Sequence, residues 1–222
     1  MIIDFKKKRK RLQSLTWAGL PMVIIGGWFF PKLGFFLLLC MAGAIGVALY
    51  KGRAWCDWMC PRGSFYDLFI QRFSLKREIP SVIRNRWFRT IILALMLGVL
   101  GTQVYLNWGD LNRIGTAMVK LLTVTTSAGI ILGLFYHQRV WCHICPMGTL
   151  SYHMSEGKRP LKIEDACSGC KVCAKVCPMQ LKPYQYKAEG IMGDKDCIKC
   201  AACVAVCPKK ILGFSETRKK AA

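Results

Sequence analysis

Cys167-Ser-Gly-Cys170-Lys-Val-Cys173-Ala-Lys-Val-Cys177-Pro178 recurs downstream as Cys197-Ile-Lys-Cys200-Ala-Ala-Cys203-Val-Ala-Val-Cys207-Pro208. Each copy is the C-x2-C-x2-C-x3-C-P run that holds a cubane iron–sulfur cluster. Its first three thiolates lie on one turning loop and reach three corners of one cubane. The fourth, followed by proline, points away and ligates the other cluster where two such runs occur together. The predicted sets are therefore crossed. Cys167, Cys170, Cys173 and Cys207 form one, and Cys177, Cys197, Cys200 and Cys203 form the other. Structural zinc sites use four ligands in two short pairs, not two four-cysteine runs ending in Cys-Pro. Disulfide frameworks belong to small secreted domains.

Outside these runs the chain changes character. It has 222 residues, 53% of them hydrophobic, yet a formal net charge of +21. The apolar and basic residues are segregated along the sequence, which points to a membrane protein. Thirteen cysteines alongside thiolate-cluster motifs point to a reducing compartment, normally the cytoplasm. Lys6 to Arg11 form an unbroken basic run near the N-terminus. A signal peptide can start this way, but the apolar stretch that follows lacks a small-residue cleavage site and runs into a second apolar stretch. It reads as a retained transmembrane helix.

Four apolar segments follow the basic arm: Leu15 to Phe30, Leu33 to Tyr50, Thr90 to Leu106, and Thr116 to Tyr136. Each approaches the length of about 20 residues that crosses a bilayer core, the first being short. Pro31-Lys32 turns the chain within the first pair, Asn107 to Gly115 joins the second, and Pro21 is expected to kink the first helix. All of the 33 Lys and Arg except Lys32, Arg113 and Lys120 fall on the side that holds both termini. The positive-inside rule makes that side cytoplasmic, where cluster chemistry also belongs. A basic arm beside a membrane helix meets anionic lipid heads rather than nucleic acid.

The two helix pairs end alike. Tyr50-Lys-Gly-Arg53-Ala-Trp55-Cys56-Asp-Trp-Met-Cys60-Pro61-Arg-Gly63-Ser64 matches Tyr136-His-Gln-Arg139-Val-Trp141-Cys142-His-Ile-Cys145-Pro146-Met-Gly148-Thr149. A duplicated membrane hairpin thus delivers a Cys-Pro loop to the same face twice, as parallel repeats about an axis along the membrane normal. Each loop has too few thiolates for a cubane. Together Cys56, Cys60, Cys142 and Cys145 make a third 4Fe-4S site. Zinc, a redox disulfide, a purely structural role, and one cluster per loop with other ligands stay open. C-type haem is excluded, because Pro146 rather than histidine follows Cys145.

Trp55, Trp58 and Trp141 are expected at the interface as anchors, or as a shield for a cluster. Arg53 and Arg139 occupy equivalent places, where they either offset cluster charge or snorkel to lipid phosphate. Phe65, Leu68, Phe69 and Phe73 share one helical face after the first loop, which predicts a surface-lying amphipathic helix or a docking face. Cys40 lacks a motif partner and reads as a small apolar residue. Gly129 and Gly133, with Gly43 and Gly46, are expected to allow close helix contact.

The expected organisation is a mainly α membrane protein with four transmembrane helices in two hairpins and a small α+β two-cluster domain. Its segments are a basic cytoplasmic arm (1–14), hairpin repeat 1 with its loop (15–64), an amphipathic linker (65–89), hairpin repeat 2 with its loop (90–149), a linker (150–164), the two-cluster domain (165–210) and a basic tail (211–222).

Residues 165–210, with their paired cysteine runs, resemble bacterial-type ferredoxins. With the Cys-Pro loops included, nearly the whole chain resembles the NapH type of membrane ferredoxin, and the loops also resemble those of NosR and CcoG proteins. The second loop departs from the usual C-x3-C-P by having C-x2-C-P. The resemblance implies electron transfer between the quinone pool and partner redox proteins at the cytoplasmic membrane. Quinol oxidation needs a proton acceptor, for which His137, His143 and Asp110 are candidates. Two rivals stand beside this reading: an anchor and relay for a cytoplasmic oxidoreductase with no quinone site, and a metal-reducing assembly factor of the CcoG kind.

Overall fold

The computed structural model describes residues 2–215. It is mostly helical, with one three-stranded sheet near the C-terminal end. Helix α1 (Ile2–Thr16) carries the basic arm, and α2 (Gly19–Phe29) follows a turn at Trp17-Ala18. A 3-10 turn over Pro31–Phe35 leads into α3 (Phe36–Lys51). The first cysteine loop is two short helices, α4 (Trp55–Trp58) and α5 (Pro61–Leu68). After α6 (Ser81–Arg84) come the long helices α7 (Arg86–Leu106) and α8 (Leu111–Phe135). The second cysteine loop is α9 (Trp141–Ile144) and α10 (Pro146–Met154). The C-terminal domain runs β1 (Leu161–Ile163), α11 (Val172–Lys175), β2 (Ile191–Met192), α12 (Ala202–Val206) and β3 (Leu212–Phe214).

Local chemistry sets the boundaries. Pro61 and Pro146 open α5 and α10 at positions where no amide donor is needed. Asn85 caps α7 through the amide of Trp87, and Asp110 caps α8 through those of Asn112 and Arg113. Gly52, at φ +60°, stops α3 and turns the chain into the first loop.

Three helical stretches are long and apolar enough to cross a membrane: the run Pro31–Arg72 that contains α3, Arg86–Leu106, and Leu111–Phe135. The first expected span comes out differently. The chain turns before Gly19, so α2 has 11 residues, about 16 Å at the α-helical rise and about half of a bilayer core. Pro21 therefore sits in the first turn of α2, where proline is tolerated, instead of kinking a longer helix. Polar bonds from Arg9 and Gln13 hold α1 against the first cysteine loop. The arm is thus a docked helix as well as a basic one.

Helix α8 is the packed centre of the apolar bundle, with nine buried residues from Ile114 to Gly133. Helix α7 is its opposite. Arg89 is its buried residue, while Ile91, Leu95 and Val99 lie exposed, as suits an apolar solvent. The expected close helix contacts at Gly129 and Gly133 are loop contacts instead. A Cβ on Gly129 would meet Tyr66 Oη at 2.2 Å and Trp141 Cγ at 3.1 Å; one on Gly133 would meet Ile70 at 3.2 Å. On α3, Gly43 admits the ring of Trp55 in the same way. Gly43 and Gly129 each lie seven residues before the repeat tyrosine, so each loop folds its tryptophan back onto its own helix. This buries Trp141 and half-buries Trp55, and replaces the expected outward anchors.

The amphipathic stretch is also shorter than expected. Helix α5 ends at Leu68, Phe69 packs on Phe65 and Trp17 with ring centroids 4.9 and 5.0 Å apart, and Phe73 stays exposed.

The sheet has order β2-β1-β3, both pairs antiparallel, with Leu161 opposite Met192 and Phe214, and Ile163 opposite Leu212. Leu161, Ile163, Met192 and Leu212 turn inward and pack with Cys173, Cys197 and Cys203. Cys56 of the first loop belongs to the same apolar cluster, with Cys142 packed against it. The C-terminal domain and the cysteine loops therefore share a core.

Candidate iron–sulfur sites

In the C-terminal domain the two cysteine runs fold alike. Gly169 and Lys171 flank Cys170 with φ of +69° and +61°, and Lys199 and Ala201 flank Cys200 with φ of +55° and +58°. Left-handed residues on both sides of the second cysteine curl each loop, and α11 or α12 then begins one residue before the third. Most of these residues carry a Cβ, and holding them left-handed costs about 1 kcal/mol or more each. Strain of this kind needs a compensating interaction at the loop.

Two small apolar cavities result. Cys167, Cys170, Cys173 and Cys207 line one, with Tyr184, Ile211 and Leu212. Cys177, Cys197, Cys200 and Cys203 line the other, with Met179, Leu181, Met192 and Ile198. These are the crossed sets read from the sequence. The donor chemistry fits a cubane, which takes four thiolates from an apolar shell.

The loop cysteines form a third group. Burial, joined by the neighbouring Cys142 and Cys145, pushes the Cys56 thiol up to about 11 against the opposing pull of Arg53. Burial with Cys56 and Cys145 close by pushes Cys60 up to about 12. Cys60 and Cys145 line an apolar cavity among Leu20, Val23, Leu37, Met96 and Leu122. Cys56 and Cys142 face the other way, onto the core of the C-terminal domain. The group thus bridges the apolar helices and that domain.

A reciprocal clasp joins the two loops. Arg53 donates to the carbonyl of Cys142 at 2.6 Å, and Arg139 donates to the carbonyl of Cys56 at 2.8 Å. Both arginines are fully buried, so the snorkelling expectation does not hold. The glycine of each Cys-Pro-x-Gly makes room for the clasp. A Cβ on Gly63 would meet Cys56 O at 2.7 Å and Arg139 Nη1 at 2.9 Å; one on Gly148 would meet Cys142 O at 2.6 Å and Arg53 Nη2 at 3.0 Å. Gly148→Ala is therefore expected to push the arginine out of the clasp and cost about 1–3 kcal/mol. Thermal unfolding of the purified chain and its iron content are the measurements; wild-type values for both would refute this account of the clasp.

Buried donors around the loops also await partners. Trp55 Nε1, Trp141 Nε1, His143 Nε2 and Thr149 Oγ1 have no hydrogen-bond partner among the described residues. An orphaned buried polar group costs about 1–3 kcal/mol, and sulfur acceptors of a bound cubane suit such donors.

The three residues considered for proton transfer lie apart. His143 is fully buried, with Nδ1 2.9 Å from Arg89 Nη2. Arginine only donates, so Nδ1 accepts and the proton sits on Nε2. Burial pulls His143 down to about 4, more than nearby Asp196 raises it. Burial likewise takes His137 down to about 4, and its Nδ1 accepts from the amide of Arg139. Asp110 caps α8 in the loop between α7 and α8 and pairs with Arg113 at 3.2 Å. None of them lines the apolar cavity beside Cys60 and Cys145. Sequence reading missed Asp57, Asp67, Arg89 and Asp196, the charged partners of the loops. For Asp57 and Asp196 a signal existed: each adjoins a motif cysteine.

The 4Fe-4S binding domain family matches residues 33–80 and 120–164, each covering a helical stretch and the Cys-Pro loop that follows it. The 4Fe-4S dicluster domain family matches residues 166–212. The chain carries 4Fe-4S ferredoxin-type domains. It is 30% identical to the methylamine utilization ferredoxin-type protein MauN of Methylobacillus flagellatus, over 75% of this chain and 65% of the relative. An uncharacterized protein of Methanocaldococcus jannaschii is 29% identical over 78% of this chain and 76% of its own length. The putative electron transport protein YccM of Escherichia coli is 23% identical over 68% of this chain and 48% of its own. The chain thus spans about half to three quarters of the length of these relatives. No solved structure matches it.

Proposed function

We propose that the chain is a membrane-embedded iron–sulfur electron-transfer subunit working between the quinone pool and a partner redox protein on the cytoplasmic side. The observation that carries this is the placement of the loop cysteines, with Cys60 and Cys145 at an apolar cavity and Cys56 and Cys142 against the C-terminal domain. In this reading three thiolate sets each hold a 4Fe-4S cluster: the two crossed ferredoxin sets and the shared loop set. Bound cubanes supply one-electron redox chemistry over a wide range of potential. The chain's own residues orient the thiolates, exclude water from them and compensate their charge.

The apolar cavity is the kind of space that takes a quinone ring and the start of its isoprenoid tail. Its polar margin is Arg62, which donates to Thr125 Oγ1 at 3.0 Å. The named relatives, described as a ferredoxin-type and a putative electron transport protein, support the electron-transfer part of the reading.

One observation favours the anchor-and-relay reading. The described lining of the cavity includes no carboxylate or imidazole, whereas quinol oxidation gives up two protons with its two electrons. Anaerobic titration of the purified chain with a menaquinol analogue separates the two. Bleaching of the cluster absorbance supports quinol oxidation. No bleaching, with rapid reduction by a soluble one-electron donor, supports the relay.

A further inference from the structure

The C-terminal domain meets the loops through a charged pin. Asp196, the residue before Cys197, inserts its carboxylate between Arg53 of the first loop and Arg89 of α7. Arg89 Nη1 reaches Oδ1 at 2.7 Å and Nη2 reaches Oδ2 at 2.6 Å, while Arg53 Nη1 also donates to Oδ1. His143 of the second loop closes the socket, its Nδ1 3.5 Å from Oδ2. Arg53, Arg89 and His143 are all buried. Arg89 is braced by donating Nε to the Ile83 carbonyl at 3.2 Å and lies over the Tyr152 ring. Asp196 is positioned in turn by its own amide, which donates to Asp194 Oδ1 at 2.8 Å.

The internal repeat shows why this pin exists. Arg139 satisfies its charge within the loops, on Asp57 and Asp67. At the position equivalent to Asp57 the second loop has His143, an imidazole instead of a carboxylate. The equivalent arginine, Arg53, therefore takes its carboxylate from the C-terminal domain. One of the two clasping arginines is complete only when that domain is docked.

The dock also fixes which face of the domain turns inward. Trp58 of the first loop donates Nε1 to the Lys199 carbonyl at 3.2 Å, so the peptide between Cys197 and Cys200 is held at both ends. Cys177 and Cys200 line a cleft shared with Arg9, Gln13 and His137. The cavity lined by Cys167, Cys170, Cys173 and Cys207 has no loop residue in its wall, and Cys170 is exposed.

We propose that Asp196 is a positioning residue that locks the C-terminal domain with its Cys177/Cys197/Cys200/Cys203 set against the loop cysteines. The three thiolate sets are thereby ordered from bilayer to solvent as loop, inner and outer. The exposed outer set, around Cys170 and Lys171, is the surface offered to a soluble redox partner. This rests on the reading of those sets as cluster ligands.

The test uses the full chain, purified in detergent, with Asp196→Asn. Removing the charge leaves two buried guanidinium groups without their carboxylate, which favours undocking. Amide exchange across residues 194–200 and 141–145 should rise at least about tenfold, because exchange there follows the population of the undocked form. Exchange in the β1–β3 ladder and the iron content should stay at wild-type values. On the reduced protein, magnetic broadening between the loop and inner centres in electron paramagnetic resonance should diminish, while coupling between inner and outer centres persists. Unchanged exchange at both docking faces overturns the proposal. So does exchange that rises equally in the ladder, since Asp196 then only holds the domain's own fold. A chain with no iron at the loop cysteines would refute the proposed cluster sets instead, and the exchange measurement would still report on the pin.

Discussion

Cys56→Ala alone is expected to remove about a third of the iron, and Cys56→Ala combined with Cys142→Ala no more than that. The reason is that the two loops share one site. Cys56 and Cys142 come from different repeats, yet each loop's arginine donates to the other loop's first cysteine. A cubane is held by four thiolates, and losing one of them at a shared buried site releases the cluster. The second substitution then removes a ligand from a site already empty. Residues that act as a unit give non-additive losses of this kind.

Iron and sulfide analysis of the purified single and double variants decides between this and its rivals. One cluster per loop predicts losses that add, the double variant losing twice as much as either single. A zinc site predicts unchanged iron with loss of zinc. A structural role for the thiols predicts unchanged metal altogether. The visible and paramagnetic signals of the dicluster domain should survive in every variant, because its eight cysteines form two separate cavities.

Why the loop site was partly legible in the sequence, and its supports were not, follows from the kind of order involved. The cysteine runs declare themselves because cluster geometry dictates short fixed spacings. The repeat declares itself because Tyr, Arg, Trp, Cys-Pro and Gly recur in register in both hairpins. The reciprocal clasp is a contact between residues 89 and 83 positions apart, and no local pattern encodes which carbonyl a given arginine meets. The Asp196 socket gathers Arg53, Arg89 and His143 from three separate elements, and the motif cysteine beside Asp196 does not show which cations it meets. Arg53 and Arg139 read as either cluster counter-charges or helix-end cations, because composition alone cannot show that Asp57, Asp67 and Asp196 cover them. The first span read too long for a related reason. Apolar content set its length, but tertiary bonds from Arg9 and Gln13 and the placement of Pro21 set where the helix breaks. The expected first span, already the shortest of the four, leaned on hydropathy where packing sets the helix break.

Arg139→Met is expected to destabilise the chain by about 3–5 kcal/mol, the range for breaking a buried ion pair from one side. Arg139 is fully buried and uses every part of its guanidinium. Nε and Nη2 grip Asp67 at 2.8 and 2.5 Å, Nη2 also reaches Asp57 at 3.1 Å, and Nη1 donates to the Cys56 carbonyl. Burial alone would raise the Asp67 carboxyl, but Arg139 and then Arg9 hold it below the usual carboxylate range. Without Arg139 two buried carboxylates keep only Arg9 and Gln13, which come from α1. Arg139→Lys should recover less than half of the loss, because an ammonium cannot reproduce a fork that meets two carboxylates and a carbonyl at once. Denaturant or thermal unfolding in a fixed detergent measures both variants. A snorkelling arginine would give a change under about 1 kcal/mol and little difference between Met and Lys. The iron content gives a second readout. Loss of the clasp on Cys56 should release the loop site's iron while the dicluster domain keeps its own, which separates damage at the loops from unfolding of the whole chain.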